Sequence, residues 1–262
     1  MTTAVLLGVL QGVLEWLPVS SEGLVAAAYS LLEGESLDEA AGYALWLHVG
    51  TMPAALVVLR RDVAALAREV WHRSERPSSL LLFLVISTVL SMAVALPLVL
   101  ALGELSGVVG ASAMGLVGVL MLATGALQMR RPRQGIRDRT RLALYDALLA
   151  GFAQGVSVLP GFSRSGLTVA VLLGRGVEKR EALVVSFLMS IPASAAASLY
   201  AALDGGFALS AEAVVAAAVA FAVGLASIRA LLAFAQRVNL GLFVVLVGSA
   251  MIAAAAWEAL AA

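Results

Sequence analysis

Glu15 and Arg164 stand inside otherwise apolar stretches of this chain, each within a short segment rich in Ser, Gly and Pro: QGVLEWLPVSSEG at residues 11–23 and QGVSVLPGFSRSG at residues 154–166. A carboxylate there is a hydrogen-bond acceptor and a candidate base. A guanidinium is a planar fork that grips phosphate oxygens in bidentate fashion and keeps its charge at any accessible pH. Serines followed by a Gly where a helix restarts present free backbone N–H groups and the positive end of the helix dipole, which together suit an oxyanion. These residue types in this pattern point to a phosphorylated ligand.

Within the two segments, Gln11, Ser20, Gly23, Gln154, Ser163, Ser165 and Gly166 are candidates to line the ligand, with Ser21 the hydroxyl closest in sequence to a catalytic role. Thr168, one turn beyond Arg164, points the same way on a helix. Each has a plainer reading beside it. Serines at such breaks are commonly helix caps, Gln11 and Gln154 can be polar glue between helices, and Glu15 with Arg164 can form a purely structural ion pair. Glu22 reads as a charge placed at a helix start. His48, in LHVGTMP, faces either the cavity or a neighbouring carbonyl; His72 lies in a basic loop and is solvated. Two distant histidines and no cysteine leave no ligand set for zinc. Asp146 is expected to pair with a loop arginine.

The elements that must position these groups are set by lipid. Of 262 residues, 61% are hydrophobic and 13% charged, and the mean hydropathy is +0.99, whereas soluble domains carry about a quarter charged residues. Uniformly apolar runs, several beyond the roughly 18 residues that span a bilayer, argue for helices and against a barrel, whose strands alternate polar and apolar. The chain therefore reads as an all-α polytopic membrane protein of one domain, 1–262, with transmembrane helices at about 39–60, 79–102, 107–128, 181–202, 211–236 and 239–261. The net charge of +0 gives no reason to expect nucleic acid. The apolar N-terminus lacks a basic region and a cleavage site, so the first helix is expected to stay.

Two further apolar regions, about 3–32 and 142–174, are broken midway by the two motifs. Basic residues mark cytoplasmic loops, and three basic stretches share one side only if region 142–174 enters and leaves by the same face: Arg60, Arg61, Arg68, Arg73 and Arg76; Arg130, Arg131, Arg133, Arg137, Arg139 and Arg141; and Arg175, Lys179 and Arg180. Glu33, Glu35, Asp38, Glu39, Glu104 and Asp204 then fall outside. The motifs superpose without a gap, Gln11 on Gln154, Gly12 on Gly155, Ser20 on Ser163 and Gly23 on Gly166. Three spans between them reverse the second copy, giving re-entrant helical hairpins in an inverted-topology repeat, about 1–128 and about 142–262. Such repeats carry their binding site near the midplane. Because irregular backbone survives at membrane depth only where protein or a wet cavity covers it, the hairpin tips should meet.

QGVLEWLPVSSEG, LHVGT and PGFSRSG, in that order and at these separations, resemble the undecaprenyl-diphosphate phosphatase family, also called the bacitracin-resistance proteins. The resemblance covers nearly the whole chain. It implies hydrolysis of a C55 polyprenyl diphosphate to the monophosphate and inorganic phosphate in the plasma membrane, recycling a lipid carrier for cell-envelope glycans. It also implies a homodimer and a divalent cation such as Mg2+ or Ca2+, held with Glu15. By motif position Glu15 matches the essential acidic residue, Gln11 the Glu/Gln four residues earlier, Ser21 the motif serine, Arg164 the essential arginine and Thr168 its partner. On this reading Glu15 is the general base, acting on water or on the Ser21 hydroxyl, while Arg164 and the N-termini after Ser20 and Ser163 offset phosphoryl charge. One departure stands out: the family continues S-S-x-G-H, but here Gly23 is followed by Leu24. Either the histidine's role passes to another group, for which His48 is the nearest substitute, or the chain is a transporter that flips polyprenyl phosphate or another anionic lipid.

Overall fold

The computed structural model describes residues 1–17, 19–35, 37–72, 76–102, 111–129, 135–159, 162–204 and 210–261. Among them every regular element is helical, and the one β-type contact is an isolated bridge between Arg137 and Val177. Among the described residues four helices are long and apolar enough to cross a membrane: Glu39–Val58, Ser79–Leu100, Lys179–Leu203 and Ala211–Ala230. Pro18, Arg73, Glu104, Arg130, Arg131, Arg133, Pro160 and Gly161 lie outside the described residues.

The two interrupted regions are each a pair of helices. The first comprises α1 (Thr2–Leu14) and α2 (Ser21–Glu33). The chain leaves helical geometry at Ser20, whose extended backbone (ψ 90°) and side chain, accepting from Gly23 N–H at 3.3 Å, start α2. Gly34, at φ 75°, ends it in the left-handed conformation that an L side chain adopts only with strain. The start of α1 and the body of α2 share an apolar cluster through Ala4, Leu7, Val25 and Ala26, so the chain doubles back as a hairpin.

Next come α3 (Leu37–Trp46), α4 (His48–Val58), the amphipathic α5 (Arg60–Trp71), α6 (Ser79–Leu102) and α7 (Ala111–Met129). The span expected at about 39–60 is present as Glu39–Val58, with its helical bonding irregular at the one residue Leu47 between α3 and α4. Gly50 N–H bonds the Leu47 carbonyl at 3.0 Å, and Pro53 lacks the amide that would bond four residues back. A β-carbon on Gly50 would lie 2.1 Å from the Ala217 carbonyl, so its absence lets α4 approach a neighbouring backbone closely.

The second interrupted region is α8 (Leu144–Val156) and α9 (Arg164–Gly174), followed by the long helices α10 (Lys179–Asp204), α11 (Ala211–Arg237) and α12 (Leu240–Ala261). Ser163 starts α9 as Ser20 starts α2, accepting from Gly166 N–H at 3.0 Å. The two ends of this region meet, because Arg175 after α9 donates to Asp146 in the first turn of α8 at 2.7 Å.

Packing relates the two halves. α1 lies against α11, α8 against α6, and α7 against α12. The matched motif glycines do matching work: a β-carbon on Gly12 would sit 2.9 Å from Ala220 O on α11, and one on Gly155 would sit 2.9 Å from Ser91 O on α6. Small residues that let backbones approach are how helices associate in lipid, where burial of apolar surface offers little drive.

The three basic stretches converge at one end of the molecule. Arg139 bridges Asp62 (2.9 Å) before α6 and Glu181 (3.2 Å) on α10. The fully buried Asp146 takes hydrogen bonds from Arg137, Arg175 and the Ala143 amide, at 2.7, 2.7 and 2.8 Å. The partner expected for Asp146 is therefore a pair of arginines.

Candidate functional site

The segment between α1 and α2 has backbone carbonyls that no helix satisfies, and buried carbonyls need partners. Serines of the other hairpin supply them. Ser165 Oγ donates to Leu17 O and Ser163 Oγ donates to Val19 O, both at 2.9 Å. Val19 O also accepts from Ser21 N–H at 3.0 Å, whereas Ser165 is the sole partner of Leu17 O among the described residues. Two tips separated by more than 140 residues are thus held together by side chains chosen to quench unpaired backbone.

That junction brings the two principal charges into contact. Arg164 Nη2 donates to Glu15 Oε1. The other carboxylate oxygen, Oε2, accepts from Ser21 Oγ at 2.8 Å and Gln11 Nε2 at 3.1 Å, with His48 Nε2 at 3.4 Å. Glu15 is 3% exposed. Its burial is tolerable because four donors surround it; a carboxylate offers about four acceptor positions. The second guanidinium nitrogen of Arg164, Nη1, is buried without a partner among the described residues, as is Gln11 Oε1. A charged donor left unsatisfied on a residue that lines a cleft is what an incoming anion would complete.

The cleft lies between the tips and is lined by Glu15, Ser20, Ser21, Glu22, Arg164 and Ser165. It holds about 10 Å³, room for roughly one water. A phosphorylated head group enters only if the tips part or Arg164 swings from Glu15 to the ligand. Gly23 and Gly166, each three residues after a capping serine, have their amides occupied by Ser20 and Ser163.

Other candidates are placed apart from the cleft. Gln154 donates to Ser91 Oγ on α6 at 3.1 Å, a bond between helices. Thr168 faces α10, where its hydroxyl meets Ser186 Oγ at 2.7 Å, and it bonds the Arg164 carbonyl at 2.9 Å. Thr168 therefore braces the first turn of α9, and Ser186, in an apolar helix with no motif around it, is a partner that sequence reasoning did not find.

His48, for which the sequence leaves the cavity or a carbonyl open, faces carbonyls with one ring nitrogen and two carboxylates with the other, and does not itself line the cleft. Its Nδ1 lies 3.2 Å from the carbonyls of Ala44 and Leu45 in the last turn of α3, while Nε2 reaches Glu15 at 3.4 Å and Glu22 at 3.5 Å. Glu22, expected as a helix-start charge, sits in the first turn of α2 and also borders the cleft. Leu24 packs against the apolar cluster containing Leu17, Val19, Val117 and Met121. Chemically, the assembly offers a buried carboxylate in contact with a hydroxyl, a guanidinium with one free arm, and an imidazole behind them.

Residues 4–252 match the family model of the bacitracin resistance protein BacA. Among curated relatives, the undecaprenyl-diphosphatase of Methanococcoides burtonii is 37% identical over 254 residues, covering 95% of this chain and 96% of that protein. That of Haloarcula marismortui is 40% identical over 242 residues, 90% of each chain. That of Syntrophotalea carbinolica is 39% identical over 251 residues, 92% of this chain and 93% of that protein.

Proposed function

The chain belongs to the bacitracin resistance protein BacA family, and from that premise we infer that it is a membrane-embedded undecaprenyl-diphosphatase, hydrolysing the lipid diphosphate to its monophosphate and inorganic phosphate. The observation that carries the reading is the Glu15–Arg164 contact made by two separate hairpins, with Arg164 Nη1 left free beside the cleft. No observation favours the transporter that the sequence held as its rival.

In this account the head group lies between the tips and the prenyl tail stays in lipid. Phosphoryl transfer needs positioning and stabilisation of charge on the equatorial oxygens, and Arg164 supplies both once its fork turns to the phosphate. Turning away from Glu15 frees that carboxylate to act as base toward water or the Ser21 hydroxyl, which already donates to it at 2.8 Å. Gln11 orients Glu15; Ser20, Ser163 and Ser165 hold the tip backbone that surrounds the phosphate. Gly23 and Gly166 give their amides to the capping serines that start the two helices, and Thr168 braces Arg164. Gln154 contributes to the site by fixing α8 on α6.

A divalent cation, Mg2+ or Ca2+, does not fit on Glu15 as it stands. Its Oε2 is crowded by Gln11, Ser21 and His48, and its Oε1 carries the positive guanidinium of Arg164, which repels a cation.

The wider architecture we propose is six transmembrane helices and two re-entrant hairpins, related as inverted halves of about 1–128 and 142–262, in a single domain of the plasma membrane. Support comes from the paired packing of α1 on α11 and α8 on α6, and from the convergence of basic stretches at one end. A homodimer completes the reading; exposed apolar side chains such as Val89 (65%) and Leu100 (66%) on α6 offer surface for lipid or a second copy.

The test is phosphate release by the purified protein from undecaprenyl diphosphate in detergent. Wild type should release one phosphate per lipid consumed, and Arg164→Ala should lose at least roughly 100-fold, the usual cost of removing an electrostatic stabiliser. Equal turnover by the two proteins would remove Arg164 from the mechanism.

A further inference from the structure

His48 occupies a position that hydrolysis by Glu15 and Arg164 alone leaves unexplained. It is 1% exposed, is the first residue of α4, and engages acceptors through both ring nitrogens. Nδ1 faces only the carbonyls of Ala44 and Leu45, both at 3.2 Å. A carbonyl can accept but never donate, so Nδ1 keeps its hydrogen and Nε2 is the nitrogen free to exchange one. That nitrogen stands between two carboxylates, 3.4 Å from Glu15 and 3.5 Å from Glu22. The carboxylates differ in access: the Glu15 side chain is 2% exposed and that of Glu22 31%. The charged groups facing the ring are Glu15 and Glu22 from the first hairpin and Arg164 from the second.

A base buried this deeply must shed a proton after every turnover. Of its other contacts, Arg164 and Gln11 have no acceptor position for a proton at the nitrogen that touches it, and Ser21 is itself a candidate proton donor. We propose that His48 is the proton exit of the site, carrying the proton acquired by Glu15 across to Glu22 and so to water. This rests on the phosphatase reading.

The steps balance. An O–H bond of the attacking water breaks as its oxygen bonds the terminal phosphorus, the bridging P–O bond breaks with its electron pair leaving on the lipid monophosphate, and the water's proton joins Glu15. The Glu15 O–H breaks as Nε2–H forms; Nε2–H breaks as a Glu22 O–H forms; Glu22 releases the proton to solvent. A ring that begins charged runs the last two transfers in the opposite order, giving to Glu22 first and refilling from Glu15. Each cycle exports one proton and returns every group to its starting form. His48 acts through Glu15 and is a positioning residue, whereas Glu22 borders the cleft.

The experiment uses the full-length purified protein in detergent with undecaprenyl diphosphate, comparing wild type, His48→Gln, Glu22→Gln and the double variant, with His48→Ala assayed with and without added imidazole. Removing a partner that acts behind the reacting carboxylate should lower kcat by roughly 10- to 100-fold while KM stays within about 2-fold. Because the two groups act in series, the double variant should be no slower than the slower single one, and imidazole should raise kcat of His48→Ala. A merely structural His48 predicts multiplied defects in the double variant and no response to imidazole. If the His48 variants fail to fold, Glu22→Gln, altered at the open end of the relay, decides alone: turnover within about 2-fold of wild type overturns the proposal. Wild type that releases no phosphate would instead overturn the phosphatase reading itself.

Discussion

Ser165→Ala should destabilise the protein more than its single hydroxyl suggests. The hydroxyl donates to Leu17 O at 2.9 Å, and that carbonyl belongs to the irregular stretch between α1 and α2, where no helical amide replaces the lost donor. Orphaning a buried acceptor costs about 1–3 kcal/mol. Hydrogen bonds between membrane helices average only about 0.6 kcal/mol because the inserted but unpacked state finds other partners. Ser163→Ala loses an N-cap, about 1 kcal/mol, but Val19 O retains the Ser21 amide. Ser20→Ala loses only a longer cap bond of 3.3 Å, about 0.5–1 kcal/mol. Equilibrium unfolding in mixed micelles should therefore place Ser165→Ala and Ser163→Ala below Ser20→Ala in stability, with the Ser163/Ser165 double variant lowest. If Ser165→Ala unfolds within about 0.5 kcal/mol of wild type, the serines do not hold the tips together as described.

Three more outcomes follow from the same geometry. Gly50→Ala, whose β-carbon would lie 2.1 Å from the Ala217 carbonyl, should cost at least about 1–3 kcal/mol in that unfolding assay, whereas Gly115→Ala, with its nearest neighbour at 3.8 Å, should be neutral or stabilising. Asp146→Asn should cost about 2 kcal/mol, less than the roughly 3–5 of a fully enclosed pair, because Arg137 and Arg175 are 27% and 38% exposed and stay hydrated; thermal unfolding with and without high salt checks it. Arg164→Lys keeps the charge beside Glu15 but not the fork, so stability should change by less than about 1 kcal/mol while phosphate release falls at least roughly 100-fold.

The contact between Glu15 and Arg164 was legible in the sequence because a charge at membrane depth demands a partner, and each hairpin offers one of opposite sign. The caps at Ser20 and Ser163 were legible too, as residues preceding a helix restart. What stayed hidden depends on surfaces that a uniformly apolar run does not distinguish. Ser91 and Ser186 look like ordinary residues of apolar helices, so nothing announced that they would take Gln154 and Thr168 away from the cleft. The irregularity at Leu47 was hinted by Gly50 and Pro53, but its consequence, turning one face of His48 to carbonyls and the other to carboxylates, needs the three-dimensional approach of α4 to the first hairpin. Leu24 shows the converse: a departure from the motif that reads as a loss of function is, in the fold, a side chain packed among leucine and valine.

The most direct measurement is an experimental structure with undecaprenyl methylenediphosphonate, whose P–C–P bridge cannot be hydrolysed. The account predicts the diphosphonate between the hairpin tips, with the Arg164 guanidinium turned from Glu15 onto its oxygens. A head group bound elsewhere, with Arg164 still closed on Glu15, would contradict it.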